Sequence, residues 1–361
     1  MANHEGWERR SRAISYHLEM HIVGAFMQRY EIGDQKGAAS LRKVSAAEPT
    51  PGAGQVLVRL RANALNYRDV MVVSGGFGPK APTLVPVSDG AGDVAAVGAG
   101  VTTVKVGDRV VIAFNVKWID GPWGPQCFGG DLGGAVDGTL TEFGVFPAAA
   151  LVQIPADWTF EEAACLPCAG VTAWNAIVVS GQARLGDTVL LQGTGGVSVF
   201  GVQIAKMIGA TAVITSSHDD KLARVKALGA DVGVNYKTNP DWPKAVLEAT
   251  GGKGADVVLE TVGPGNLDRS FAAAAFNGRI ELIGGFEQAS KPPGTIPMIA
   301  KNLTLRGIAV GSRRMLADLL ALMAQKKQKP VIDARIPFAD APKAYELMIA
   351  QKHLGKIVIT Q

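Results

Sequence analysis

Between Thr188 and Ala205 the chain reads TVLLQGTGGVSVFGVQIA, and no other stretch limits the possible folds so much. Val189-Leu190-Leu191 is an apolar run with the look of a buried parallel strand, and it enters Gly193-Thr194-Gly195-Gly196 directly. A helix-like apolar segment, Val197 to Ile208, follows. A strand that feeds a Gly-rich turn opening a helix is the setting a dinucleotide-binding motif requires. Glycines permit the tight turn and let bare backbone approach a pyrophosphate, while the helix N-terminus offers unpaired N–H groups and partial positive charge. Gly193 and Gly195 fill the first two positions of GxGxxG, and Ser198, small enough for close helix–strand packing, fills the third. A Gly-rich turn without a ligand is the competing reading of this motif alone.

The next apolar run, Ala212-Val213-Ile214-Thr215, ends at Ser216. An acidic residue there, about 20 residues past the glycines, would grip the adenosine ribose of NAD. The chain instead has Ser216-Ser217, with Lys221 and Arg224 just beyond. A hydroxyl with nearby cations suits a 2′-phosphate, so NADP(H) is the expected cofactor. Taken singly, Lys221 and Arg224 also fit the solvated face of a helix.

A chain of 361 residues has room for more than one core. Hydrophobic residues make up 47% and charged residues 19%, as in ordinary globular proteins, and the net charge of +4 is modest. No Lys/Arg-rich run is interleaved with aromatics, so nucleic acid is not an expected partner. No uninterrupted apolar stretch reaches membrane-spanning length. Three cysteines, Cys127, Cys165 and Cys168, speak for a reducing cytoplasm rather than a disulfide framework.

Met1 to Phe26 is polar, with clustered Arg9, Arg10 and Arg12, and is read as an N-terminal extension (1–26). Residues 27–170 carry short β-like runs punctuated by Gly and Pro, such as 55–60, 92–98 and 108–112, and predict an irregular β-barrel or sandwich. From 171 to 324 strands and helices alternate. Strands are expected at 188–192, 211–215, 231–236, 256–261, 279–284 and 303–310, with helices at 197–209, 219–229, 241–249, 266–276 and 312–326. Six strands with crossover helices make a doubly wound parallel sheet. Residues 325–361 are expected to return to the first domain, ending in the strand Lys356-Ile357-Val358-Ile359.

Six blocks in this order resemble the medium-chain dehydrogenase/reductase superfamily over nearly all of 27–361, and quinone-oxidoreductase-like and alcohol-dehydrogenase-family members in particular. They are Asn66-Tyr67-Arg68-Asp69, Ser88-Asp89-Gly90-Ala91-Gly92, Val106-Gly107-Asp108-Arg109-Val110, Leu166 to Trp174, the Gly193 loop, and His353 to Val358. The resemblance implies an α/β fold: a GroES-like irregular β-barrel catalytic domain against a Rossmann doubly wound parallel sheet, with the active site in the cleft between them.

Zinc-dependent relatives place Cys, His and Cys where this chain has Asn66, Ser88 and Cys168. Amide and neutral hydroxyl groups are poor zinc ligands. No histidine occurs between His21 and His218. Asp69, Asp89 and Cys168 are the remaining conceivable set, but mixed O,O,S sites are uncommon for zinc. A structural zinc lobe needs four closely spaced cysteines, and only Cys127 precedes Cys165. The expectation is therefore no metal. Without a Lewis acid, hydride addition to an α,β-unsaturated carbonyl or quinone is easier than reduction of a simple ketone.

The resemblance implies Asn66, Tyr67 and Asp69 as catalytic candidates. Asn66 would donate to a substrate oxygen; Tyr67 would donate a proton, or be a packed core aromatic; Asp69 also fits an ion pair with Arg68 or a helix cap. Thr172, Gly193, Thr194, Gly195, Gly196, Val197, Ser216, Lys221, Tyr236, Gly284, Gly285, Phe286, Ser312, Arg313 and Lys356 are the cofactor-binding candidates. Residues 114–138 form a long Gly-rich segment whose Trp118, Trp123 and Phe128 either line a substrate cleft or anchor the loop. The leading expectation is a zinc-independent NADPH-dependent reductase of a small carbonyl or quinone substrate. Alternatives are an NADP-dependent alcohol dehydrogenase/carbonyl reductase and a non-catalytic NADPH-binding protein. By analogy with relatives the chain would form a homodimer or homotetramer, associating near 296–311.

Overall fold

The computed structural model describes residues 26–285, 289–290 and 292–361. The expected N-terminal extension, apart from Phe26, and the candidate Phe286 lie outside these residues. Strands dominate the first part: β1 (Phe26–Glu31), β2 (Arg42–Ala47), β3 (Gln55–Leu65), helix α1 (Tyr67–Val73), β4 (Asp89–Val97), β5 (Arg109–Ile112), β6 (Phe143–Pro147) and β7 (Leu151–Gln153). An irregular helical run comes next, with α2 (Phe160–Ala164) and α3 (Val171–Trp174) separated and followed by π-helical turns.

Strand–helix alternation then sets in with β8 (Thr188–Gln192), α4 (Gly196–Met207), β9 (Thr211–Ser216), α5 (Asp219–Ala227), β10 (Val232–Asn235), α6 (Trp242–Ala249), β11 (Ala255–Glu260), α7 (Leu267–Ala273), β12 (Ala274–Leu282), α8 (Ile296–Ala300), β13 (Thr304–Gly307) and α9 (Arg313–Gln325). The chain closes with β14 (Ile332–Pro337), α10 (Ala341–Ile349) and β15 (Lys356–Thr360).

The six strands β10-β9-β8-β11-β12-β13 form one sheet in that order, and all its pairings are parallel. In order of appearance this is 3-2-1-4-5-6, the doubly wound dinucleotide topology. β8 is buried at every residue, as a central strand covered by helices on both faces must be. A seven-stranded sheet gathers β14, β15, β3, β4, β5 and β7, with β6 also on β3. One edge of β3 is shared: β6 pairs with Gln55–Arg59, and β15 pairs antiparallel with Ala62–Leu65. The C-terminal strand thus sits in the sheet built by the first part of the chain.

One apolar cluster joins the two sheets. It includes Ala62, Ala64 and Val111 from the first, Val189, Leu191 and Leu259 from the second, and Ala163, Leu166, Ala169 and Ile177 from the helical run between them. The largest departures from the sequence expectation fall at two places. Helix α7 stops at Ala273, and Ala274–Phe276 begin β12, the Ala274 backbone lying beside Ala255 of β11. The sixth strand ends at Gly307 rather than 310, because Val310 takes φ 125°, outside any strand conformation.

Close packing of α4 on β8 falls at Gly201, not at Ser198. A Cβ on Gly201 would stand 2.3 Å from Leu191 Cδ2. Ser198 Oγ instead donates to Gln192 O at 2.7 Å. Gly201→Val is expected to cost about 1–3 kcal/mol of stability, as overpacked cores do. Pairing it with Leu191→Ala should recover part of the loss in a denaturant-unfolding cycle, and simple additivity would contradict this contact.

Candidate active site

The backbone around Gly193 forms an open cradle. Gly193 has φ +71°, a conformation that favours glycine, and the space where Cβ atoms would project from Gly193 and Gly195 is empty to 4 Å. Gly195 is the N-cap of the twelve-residue α4, and no side chain caps that helix. Its first N–H groups are therefore available to an anion. Thr194 and Val197 flank these glycines; Thr194 O accepts from Gly355 N at 3.1 Å, and Gly195 bridges Gly355 in parallel. This carboxyl-edge turn of the first strand is where such a sheet binds dinucleotides, and the residues present fit a pyrophosphate.

Ser216 ends β9, buried, with its Oγ accepting from His218 N at 3.3 Å and its carbonyl accepting from Tyr236 N at 3.0 Å. Tyr236 is partly exposed next to it. Lys221 is turned toward the C-terminal segment, where its ammonium donates to Gln351 O at 2.8 Å and His353 O at 3.0 Å. Arg224 pairs with Asp333 at 2.6 Å. Thr172 is buried in α3. Gly284 follows β12 where a Cβ would strike Thr261 O at 2.1 Å, whereas the space beside Gly285 is open.

Ser312 and Arg313 serve the packing of α9. Ser312 Oγ caps Met315 N, the Arg313 and Arg314 N–H groups donate to Trp118 O and Ile119 O, and the Arg313 guanidinium donates to Leu151 O. These bonds tie the helix to the first part of the chain. They also engage the polar groups expected at the cofactor.

The catalytic candidates converge on a buried polar cluster. Asn66 is the N-cap of α1, and Asp69 Oδ2 accepts from its N–H at 2.8 Å, completing a capping box. The Asn66 amide nitrogen donates to Asp89 Oδ2 at 2.9 Å. Ser88 Oγ donates to Asp89 Oδ1 at 2.8 Å, and Cys168 N–H to Asp89 Oδ2 at 3.2 Å. Into this cluster comes Lys356, 2% exposed. Expected at the cofactor, its ammonium instead donates to Asn66 Oδ1 at 2.5 Å and Leu65 O at 2.8 Å, and lies 3.8 Å from Asp89 Oδ2. Its Cδ passes 3.0 Å from where a Gly196 Cβ would be. Both ends of the Asn66 amide are thus engaged within the protein. Tyr67 is partly buried against the apolar cluster of Tyr30, Val70 and Tyr345.

Burial dominates the acid–base behaviour here. Desolvation lifts the Asp69 carboxyl to about 6, against the pull of Arg68, with repulsion from Asp89 adding to the rise. Burial raises Asp89 as well, while Lys356 and the Asn66 amide oppose it. Burial pushes the Cys165 thiol up to about 12 and the Cys168 thiol higher still, with Asp89 repulsion contributing to both.

A zinc ion of the kind held by relatives does not fit these residues. Asn66 presents an N–H face to Asp89, and its oxygen holds an ammonium. A metal there would meet the Lys356 cation beside its would-be ligands. Among the described residues, no three His, Cys, Asp or Glu side chains are grouped to hold a metal.

Next to the cluster opens a cavity of about 350 Å³. Arg68, Phe114, Trp123, Phe128 and Phe77 line it, and Ala309, after β13, closes it from the other sheet. Trp123 packs edge-to-face on Trp118 and Phe128, at 5.0 and 5.4 Å. Trp118 itself is buried, with its indole N–H donating to Gly121 O, and does not line the cavity. The long loop is held by Asn115, which donates to Cys127 O and accepts from Lys117 and Trp118 N–H. Two valines near the site, Val87 (φ 72°) and Val310 (φ 125°), hold conformations that β-branched residues rarely adopt.

Sequence reasoning passed over the partners of Asp89 and over Glu260, which ends β11. Its buried carboxylate accepts from Gln192, Ser270, Asn266 and the N–H groups of Val262 and Gly263. An acid closing the apolar run Val257-Val258-Leu259 was the available signal.

Lys356→Met is expected to destabilise the protein by about 3–5 kcal/mol, since it leaves Asp89 buried without its cation. Asp89→Asn should restore part of this in the double variant, measured by urea unfolding. The Asp69 carboxyl makes a second prediction. Its folded-state pKa is raised from 3.8 to about 6, so its contribution to stability is fully present below the unfolded value and is lost as pH rises through about 6. Asp69→Asn should flatten that part of the stability–pH curve.

Comparison with known proteins agrees with this architecture. Residues 52–156 match the family described as alcohol dehydrogenase GroES-like domain, and residues 196–325 match zinc-binding dehydrogenase. A zinc-type alcohol dehydrogenase-like protein of Schizosaccharomyces pombe is 41% identical over 313 residues, covering 85% of this chain and 90% of its own. A solved structure of an NAD-dependent alcohol dehydrogenase is 36% identical with TM-score 0.86, covering 93% of this chain and 100% of its own. A mycobacterial protein solved with NADPH is 28% identical with TM-score 0.78, again over 93% and 100%. With a GroES-like part joined to a Rossmann sheet and relatives of this similarity, the chain belongs to the medium-chain dehydrogenase/reductase superfamily, among the alcohol dehydrogenase-like oxidoreductases.

Proposed function

We propose that this chain is a zinc-independent, NADPH-dependent reductase of small α,β-unsaturated carbonyl compounds or quinones. The observation that carries the reading is the buried Lys356 ammonium held by Asn66 Oδ1 and Leu65 O beside Asp89. A fixed internal cation takes up the negative charge that would otherwise favour a divalent ion.

When bound, the nicotinamide cofactor supplies the hydride. The Gly193–Gly196 turn would hold its pyrophosphate, with Thr172, Gly284 and Gly285 toward the nicotinamide. Ser216 and Tyr236 would meet the adenosine end, where the absence of a carboxylate at Ser216 supports NADPH over NADH. The cavity lined by Trp123 and Phe128 suits a flat conjugated acceptor, because its aromatic walls favour such a shape while Arg68, Lys80, Asn115 and Asp131 supply polar groups around it. Among the described residues no helix is long and apolar enough to cross a membrane. Self-association through the edge at β13 is part of the proposal, since Ile296 and Ile299 are 73% and 74% exposed beside it.

A second reading, an alcohol dehydrogenase in which the polar cluster replaces zinc, is favoured by the names of the relatives.

Steady-state assays with NADPH and NADH against a panel of enones, quinones and alcohols, before and after exhaustive chelation, separate these readings. Expected are an NADPH preference, enone or quinone turnover and no response to chelation. Metal-dependent alcohol oxidation would favour the second. Ser216→Asp should shift the cofactor preference toward NADH by about one to two orders of magnitude, the size expected when a carboxylate replaces a phosphate-tolerant hydroxyl.

A further inference from the structure

We propose that the guanidinium of Arg68 holds the acceptor's carbonyl oxygen during reduction, as the electrophile of this site. The inference deepens the reductase reading and rests on it.

Arg68 lines the cavity on the first turn of α1, two residues past Asn66. Its side chain is 16% exposed, so it is largely desolvated yet reaches the open space. It is also fixed. One terminal nitrogen donates to Leu132 O at 2.9 Å and to Asp69 Oδ1 at 3.3 Å, and the other to Asp131 Oδ2 at 2.9 Å. Phe114 stacks beneath at 4.9 Å from the guanidinium carbon. Gly134 presses against it from the loop: a Cβ there would stand 2.4 Å from Arg68 Nη2.

A guanidinium has five N–H groups, and these bonds occupy three. The Nε–H makes none of these bonds and is not sealed from solvent, and Arg68 lines the cavity. The Asn66 amide cannot do this work, because Asp89 and Lys356 engage both its ends. Preorganised donors are the kind that stabilise a developing oxyanion, at no reorganisation cost.

A guanidinium donates hydrogen bonds and not a proton. The acceptor's β-carbon takes a hydride, with its electron pair, from the reduced nicotinamide. The C=C π pair moves toward the carbonyl, and the negative charge settles on the oxygen as an enolate facing Arg68. The α-carbon then takes a proton from water, re-forming the C=O bond. The acceptor gains two electrons and two hydrogens, and the cofactor is oxidised by two electrons.

The test compares wild type with Arg68→Gln. Expected is a fall in kcat of about 10²–10³-fold, the range for losing an oxyanion donor. NADPH binding, read by fluorescence, should stay unchanged, and guanidinium chloride below its denaturing range should restore part of the rate. On the cofactor-free protein, the ionisation of 4-nitrophenol should move to lower pH with wild type and not with the variant. If Arg68→Gln fails to fold, Gly134→Ala is read in the same way, since it keeps every charge and displaces Nη2. Turnover close to wild type, a matching loss of NADPH binding, or 4-nitrophenol ionising alike with both proteins overturns the proposal. If wild type binds NADPH but reduces no enone or quinone, the reductase reading itself has failed.

Discussion

The contact between the Lys356 ammonium and the buried oxygens of Leu65, Asn66 and Asp89 is the one on which the rest of this site depends. Without that cation, two carboxylates, Asp69 and Asp89, would lie in the interior with Arg68 alone to offset them. Removing charge from water is costly, and the cost is tolerated only where partners and hydrogen bonds are complete. Lys356 also opens the last strand, and Gly355 just before it bridges the Gly-rich turn at Gly195. These two residues therefore bind the C-terminal strand, the Gly-rich turn and the N-cap of α1 into a single unit.

That unit stays in place because the two sheets share an apolar core. Small residues, Ala62, Ala64, Ala163 and Ala169, let the helical run approach both sheets closely. The polar ties across the same boundary are directional: α9 receives carbonyls of the long loop at its first N–H groups, and Arg313 reaches Leu151. Such bonds set angle and register more than stability, since each contributes about 1 kcal/mol net. The outcome is a cavity wall made of residues far apart in the chain, from Arg68 to Ala309.

Under the proposed reading, one scaffold carries different electrophiles. A metal site needs anionic ligands gathered around an open position. Here Asn66, Ser88 and Cys168 offer an amide, a hydroxyl and a thiol, and positive charge comes from side chains. Lys356 neutralises the interior, and Arg68 faces the cavity. An organic cation anchored in this way acts through hydrogen bonds and field alone, and such a site suits acceptors whose conjugation already spreads the developing charge.

Most of the architecture was legible in the chain. Apolar runs such as Val189–Leu191 and Val257–Leu259 can only be covered strands, the glycines at 193–196 mark the turn, and the alternation between 188 and 326 dictates a parallel sheet. What local sequence could not decide was the direction of each side chain. Lys221 and Lys356 look alike as cations near a nucleotide, yet one donates to carbonyls of the C-terminal segment and the other enters the polar cluster. Trp118 and Trp123 look alike as loop aromatics, yet only the second reaches the cavity. Strand and helix follow from local periodicity, which a sequence states directly. Burial and partnership follow from contacts between residues hundreds of positions apart, such as Asn66 and Lys356, and only the folded chain brings those together.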